Sequence, residues 1–247
     1  MYWNAIGTNV RFLGSMHILP KENSGLPTWA MEAFDWAEDV AFESDPTTIA
    51  PYVRTSNPTH LSDNLTPATW NTLSTLWSQA GAHGVLEAMR PWAVLLTSSV
   101  FAQSHVPGIE PQFIEWAKQR SKPVHFLETA ESLVNNFDSA PLNEICQALE
   151  SLANDLAAPQ RLLNAMYAAW MDADIKSLYS IADQSPAFNL PGIRHAVLLA
   201  RNREWLPRVE HLLQSPRRTL IAVGALHLHG PGNVFEQAGC NVQLVNL

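Results

Sequence analysis

The sequence predicts an α/β protein in which a central mixed, largely parallel sheet carries a large helical cap. Three observations point there. Short apolar runs alternate with amphipathic helices at both ends of the 247-residue chain, and the middle is almost wholly helical. The apolar runs near the two ends also finish alike, in Gly14-Ser15-Met16-His17 and Gly224-Ala225-Leu226-His227.

The opening stretch YWNAIGTNVRFLGS reads as two short strands joined by a Gly-Thr-Asn turn, and the second, Val10 to Leu13, delivers the first Gly-x-x-His. After the polar segment PKENSG, a proline suited to a first helical turn opens an amphipathic helix through Trp29, Phe34 and Trp36, and the apolar run Val40 to Phe42 follows. Strand, helix, strand in this order predicts neighbouring parallel strands joined by a right-handed crossover. His17 and Glu43 then emerge on one edge of the sheet, the edge where ligands bind in open α/β folds.

From about Pro46 to Pro191 apolar residues recur at three- and four-residue spacing, with Thr, Asp or Pro opening several of the runs. One strand, within KPVHFLET, interrupts them. So many helices exceed what one face of a small sheet needs, which predicts a single domain over 1–247 with a mostly helical cap at about 46–190. Alternation then returns: the helix GIRHAVLLARNREWLPRVEHLLQS, a strand Thr219 to Val223, the loop GALHLHGPG, the short helix NVFEQAG and a last strand NVQLVNL.

Composition narrows the function classes. A chain that is 47% hydrophobic buries a full core, and a net charge of −8 without a basic stripe argues against nucleic acid as a partner. Two cysteines, Cys146 and Cys240, imply no disulfide framework. The lack of a long apolar run and of a secretory signal predicts no membrane partner and a cytoplasmic protein, or a secreted or periplasmic one if a leader has been removed.

A glycine at a strand end lets backbone approach backbone or ligand closely, and the histidine three residues later projects over the sheet edge. If the strands ending at Leu13 and Val223 are neighbours, His17 and His227 converge and Glu43 joins them. Two imidazoles and a carboxylate form a workable donor set for Mn, Co or Zn, with a position left for water. Such an ion acidifies water and polarises a carbonyl, the chemistry of amide or ester hydrolysis. Against this, a strand-end histidine is often an ordinary packed or surface group. Arg201 lies on the helix before the last long strand; its guanidinium either serves a substrate carboxylate or oxyanion, or pairs with a carboxylate such as Glu43 or Glu204. Asn202 is a hydrogen-bonding orienter or a surface amide. Glu128 either reaches the same edge or supports the next helix by its charge. His229 reads as loop packing, because HGPG begins a turn, and Trp92 and Trp205 read as core.

FLGSMHILP (Phe12 to Pro20), FESD (Phe42 to Asp45), RPW (Arg90 to Trp92), PGIEPQFIEWAKQRSKPVHFLET (Pro107 to Thr129), ARNREW (Ala200 to Trp205) and VGALHLHGPGNV (Val223 to Val234) occur in one order along the chain. In these pieces the chain resembles the TraB/GumN family, which includes the TIKI metalloproteases and is distantly similar to erythromycin esterases and ChaN haem-binding proteins. The resemblance implies roles for His17, Glu43, His227, Arg201 and Asn202, with a divalent metal on His17, Glu43 and His227. It also shows departures: Gly-Ser-Met-His where the family usually has Gly-Thr-x-His, and Gly108-Ile109-Glu110 where the family has Gly-Val-Asp, so the role of Glu110 stays open. The expected activity is metal-dependent hydrolysis, foremost of a peptide or protein, with a small-molecule substrate as the other case. The alternatives are a metal-free esterase-like hydrolase with a histidine base, and a haem- or peptide-binding protein.

Overall fold

The computed structural model describes residues 1–22, 24–55, 61–83 and 85–245. The chain opens with a hairpin, β1 (Tyr2–Ala5) and β2 (Val10–Ser15), paired antiparallel with Trp3 opposite Phe12. Its turn places Gly7 at φ 81°, a left-handed conformation that a glycine adopts without steric cost. β3 (Ile18–Pro20) follows His17 directly, then α1 (Thr28–Trp36) leads into β4 (Asp39–Phe42).

Among the described residues the main sheet has six strands in the order β6-β4-β7-β2-β1-β8, where β6 is Val124–Phe126, β7 is Thr219–Gly224 and β8 is Val242–Leu244. β6, β4, β7 and β2 run parallel, while β1 is antiparallel to β2 and to β8. The sheet is therefore mixed and mostly parallel, as expected. Asn246 and Leu247, the end of the predicted last strand, lie outside the described residues.

One adjacency differs. The order strand, helix, strand predicts β2 beside β4, yet β7 lies between them, with Ser15 opposite Gly224 on one side and Phe42 opposite Ala222 on the other. The physical reason is in β7 itself: TLIAVG is buried at every position and needs a strand on each edge and cover on each face. The consequence for the site is favourable, because the two Gly-x-x-His strands become immediate neighbours.

The middle region contains β5 (His105–Pro107), which pairs antiparallel with β3 in a separate two-stranded sheet. Its helices are α2 (Pro67–Gln79), α3 (Pro91–Phe101), α4 (Ile109–Gln119), α5 (Ala130–Asp138), α6 (Leu142–Asn154), α7 (Ala158–Met171) and α8 (Ile175–Ala182). They divide between two apolar clusters. Leu73, Trp77, Trp92, Val134 and Leu149, from α2, α3, α5 and α6, build a cluster of their own. Phe113, Leu163, Trp170 and Leu178, from α4, α7 and α8, pack into the cluster that covers the sheet. So only part of the helical middle region stands apart from the sheet. Trp77 closes its indole N–H on Ser98 Oγ at 2.8 Å, which lets this large ring be buried without an orphan donor.

The last long helical stretch is α9 (Pro191–Arg194), a π-helical turn over His195–Leu199, and α10 (Ala200–Leu213). The short α11 (Val234–Gln237) precedes β8. Among the described residues no helix is long and apolar enough to cross a membrane.

Candidate functional site

The four parallel strands end on one edge, and each end supplies a polar side chain: His17 after β2, Glu43 after β4, Glu128 after β6 and His227 after β7. This edge is where ligands enter open parallel sheets, because the strand ends leave a crevice there. Adjacent strand ends are tied together: Leu127 and Glu128 both donate their N–H groups to the Glu43 carbonyl, at 3.0 and 2.9 Å.

Glu43 is the centre. Its Oε1 lies 3.5 Å from His17 Nε2 and 3.6 Å from His227 Nε2, and it accepts the Gly224 N–H at 2.6 Å. Its Oε2 accepts from Arg201 Nη2 at 2.5 Å. Gly224 is the close-approach glycine: a Cβ there would meet His17 Nε2 at 3.1 Å, Glu43 Oε1 at 3.2 Å and His227 Cδ2 at 3.4 Å. Gly14 serves packing instead, since its Cβ would meet Ala225 Cα and Cβ at 3.1 Å.

Both histidines have Nδ1 committed elsewhere. Nδ1 of His227 lies 2.5 Å from Asn202 Oδ1, and the Asn202 amide nitrogen donates to the Gly232 carbonyl at 2.9 Å, so the amide oxygen faces the ring. Nδ1 of His17 lies 2.9 Å from Glu110 Oε1. An acceptor on each Nδ1 places the proton of the neutral ring there and leaves Nε2 bare toward Glu43.

Arg201 is buried and its donors are committed. It pairs with Glu128 through Nε, at 3.1 and 3.2 Å, and through Nη2, which also reaches Glu43. Nη1 reaches the Val197 carbonyl at 3.3 Å and lies 3.4 Å from His227 Nε2. The guanidinium therefore takes the ion-pair role rather than facing outward to a substrate. The π-helical turn just before α10 supplies that Val197 carbonyl; widened turns of this kind recur at functional sites.

Charge states follow from this wiring. Burial works against ionised Glu43, but Arg201, the two imidazoles and the Gly224 N–H outweigh it and hold the carboxyl well below the usual range. Glu128 shares the same guanidinium, yet for this carboxyl burial wins and its pKa is raised. His17 is disfavoured as a cation by its surroundings, but Glu110 and Glu43 more than offset this and raise it to about 9. Its side chain is 59% accessible, which makes it the exposed member of the centre. His227, 3% exposed, is pushed down to about 3 by burial, helped by Arg201 and His17 and opposed by Glu43. At neutral pH the centre thus holds one imidazolium and one neutral imidazole on a single carboxylate oxygen.

Among the described residues no group of three or more His, Cys, Asp or Glu side chains is arranged to hold a metal ion as it stands. His17, Glu43 and His227 face one another, and Glu43 is also held by Arg201.

Other residues singled out in the sequence fall into place. His229 stacks edge-on against Tyr179 at 5.4 Å, outside the centre. Trp92 is buried and donates its indole N–H to Asp138 at 2.8 Å. Trp205 is fully buried with its ring 4.4 Å from that of His227, so this core residue is also the wall of the site. Glu128 and Glu110 are the two members that sequence reasoning left open; strand-end position was the signal for Glu128, and the place of Gly108-Ile109-Glu110 at the family's Gly-Val-Asp was the signal for Glu110.

A mostly parallel sheet whose strand ends gather two histidines, carboxylates and a buried arginine defines an α/β protein with an acid–histidine centre on its carboxyl edge. The profile of the TraB/PrgY/gumN family matches residues 4–241, and the chain belongs to that family. It is 24% identical over 234 residues to "Uncharacterized protein YbaP" of Escherichia coli (strain K12), covering 90% of this chain and 84% of that protein. The protein of the same title from Shigella flexneri matches to the same extent. No solved structure matches the chain.

Proposed function

We propose that the protein is a metal-dependent hydrolase, foremost a peptidase, whose metal donors are His17 Nε2, Glu43 Oε1 and His227 Nε2. The observation that carries this reading is the convergence of two Nε2 atoms on one carboxylate oxygen, at 3.5 and 3.6 Å, with each Nδ1 held by its own acceptor. Those separations are longer than hydrogen bonds. They are of the size of the edge between neighbouring ligands of one ion, about 3.3–3.6 Å for bonds of about 2.0–2.2 Å. Two neutral imidazoles and a carboxylate suit Mn, Co or Zn. Charge agrees: with His17 neutral, Glu43, Glu110 and Glu128 against Arg201 leave a formal −2 that a divalent cation neutralises. To serve as a donor, His17 would have to give up the Nε2 proton of its cationic form, so metal uptake would release a proton.

When bound, the ion supplies acidified water and Lewis-acid polarisation of a carbonyl. The chain's own groups do the rest. Arg201 and Gly224 N–H hold Glu43 at both oxygens, Asn202 fixes the tautomer of His227, and Trp205 excludes water from the inner side of that ring. His17, the exposed member, is the side from which a substrate would reach the centre.

A metal-free esterase-like hydrolase is less well supported, because neither histidine is a base poised near neutrality: His17 is already protonated and His227 is held at about 3. Haem ligation by both histidines is disfavoured by the burial of His227 beneath Trp205. The test is cleavage of a peptide library, read by mass spectrometry, after loading with Mn, Co or Zn. The proposal expects new peptide termini that vanish with a chelator and in Glu43→Gln; cleavage that survives both would overturn it.

A further inference from the structure

The Gly108-Ile109-Glu110 turn has no part in the donor set, yet it is built against His17 with unusual closeness. Gly108 N–H donates to the His17 carbonyl at 2.8 Å and Ile109 N–H to the Met16 carbonyl at 3.3 Å. A Cβ on Gly108 would lie 1.9 Å from Met16 O and 2.5 Å from His17 C, so only glycine permits the approach. The φ of Gly108, −72°, is ordinary; proximity alone imposes the residue. Two positions further, on the first turn of α4, Glu110 Oε1 lies 2.9 Å from His17 Nδ1. The same oxygen accepts the hydroxyl of Ser15, which is buried on β2 opposite Gly224 and so fixes the carboxylate from a rigid element.

We infer that Glu110 is the positioning residue for His17: it holds the ring by Nδ1, sets the Nδ1–H tautomer and turns Nε2 toward Glu43. The contrast between the two histidines gives the reason. His227 is enclosed, with Trp205 against its ring, and packing restrains it. His17 is 59% accessible, and its ring rests on Glu110 at 2.9 Å and faces Glu43 at 3.5 Å. An accessible imidazole gives up rotamer freedom on being ordered, and a charge-assisted hydrogen bond offsets that loss. A carboxylate on Nδ1 can only accept, so the neutral ring has a single tautomer available, the one with Nε2 bare. Asn202 does the same for His227 with a neutral oxygen. Two anchors thus serve one geometry, and the anionic one makes His17 the more electron-rich donor.

The orientation stands by itself; its consequence for metal affinity rests on the proposed donor set. Both are read on the full chain with Glu110→Leu, Glu110→Gln and Ser15→Ala. First, without metal and at a pH well above the value of about 9 for His17, long-range proton–nitrogen NMR correlations report which ring nitrogen carries the proton. Wild type and Glu110→Gln, whose amide oxygen still accepts, are expected as the Nδ1–H form. Glu110→Leu is expected to revert to the Nε2–H form favoured by free histidine, and Ser15→Ala to show a mixture. Second, a cobalt titration is expected to weaken about 10- to 100-fold in Glu110→Leu and less in Glu110→Gln. A wild-type ring in the Nε2–H form, or no tautomer change in Glu110→Leu, overturns the inference. If Glu110→Leu does not fold, an unchanged tautomer with unchanged cobalt affinity in Ser15→Ala overturns it. Tautomers that change as expected while wild type takes up no cobalt leave the positioning role standing and remove the metal reading.

Discussion

Substituting Gly224 by alanine places a methyl group in the middle of the centre, and its effect can be worked from three distances. The new carbon meets His17 Nε2 at 3.1 Å, Glu43 Oε1 at 3.2 Å and His227 Cδ2 at 3.4 Å, so each must give by a few tenths of an ångström. The backbone does not object: Gly224 has φ −49° and ψ 132°, open to any residue, and its N–H still reaches Glu43. Overpacking of this kind costs about 1–3 kcal/mol, offset by about 0.4–1 kcal/mol from the stiffer unfolded chain. The net loss is about 1–2 kcal/mol, a few degrees in Tm for a chain of this size. Metal–ligand distances tolerate only about 0.2 Å, so donor atoms moved this far are expected to lose at least about tenfold in metal affinity. Gly14→Ala is the matched control, because its methyl presses on Ala225 and Met1 rather than on the donors. Thermal unfolding and metal titration of both variants decide the matter. Equal metal affinity in Gly224→Ala and wild type would refute the reasoning.

Two further outcomes follow from the same contacts. Arg201→Leu leaves Glu43 and Glu128 buried without their cation and is expected to cost about 3–5 kcal/mol in chemical denaturation, whereas a loss under about 1 kcal/mol would mark the pairs as no stronger than surface ones. The stability of the metal-free protein is expected to peak near pH 6.5. His17 is raised to about 9, so its contribution is complete below 6.5 and is lost as pH rises through 9. His227 is lowered to about 3, so the unfolded chain takes the proton first and stability falls as pH drops from 6.5 toward 3. Glu43, held below its ordinary 4.5, adds to that acid loss. A pH series of denaturation curves checks this, and an alkaline limb that persists unchanged in His17→Ala would contradict it.

How much of this the sequence could reveal depended on whether the signal was local. Gly14 to His17 and Gly224 to His227 were legible because a strand end followed by a histidine is written in consecutive residues, and so was Glu43 after Val40 to Phe42. That β7 would lie between β2 and β4 was not, because strand order is a contest among distant segments decided by which apolar run needs burial most. The pairing of β3 with β5 is equally nonlocal: three-residue strands nearly ninety positions apart leave no periodic mark. For that reason Glu110, delivered by this pairing, could not be assigned a role from its position. Arg201 was legible as a member of the centre and its pairing with Glu43 was one of two readings, but its other partner, Glu128, was not, because the two are 73 residues apart. The division of the helical middle region between two apolar clusters was also hidden, because α4 and α7 have the same amphipathic spacing as α2 and α6.

The most direct test of the central claim is the metal content of the wild-type protein and of His17→Ala/His227→Ala, each dialysed against Mn, Co and Zn and measured by elemental analysis. The account predicts about one ion per chain in wild type and none in the double variant, with both proteins folded. No metal in wild type under any loading condition, or equal metal in the two proteins, would contradict it.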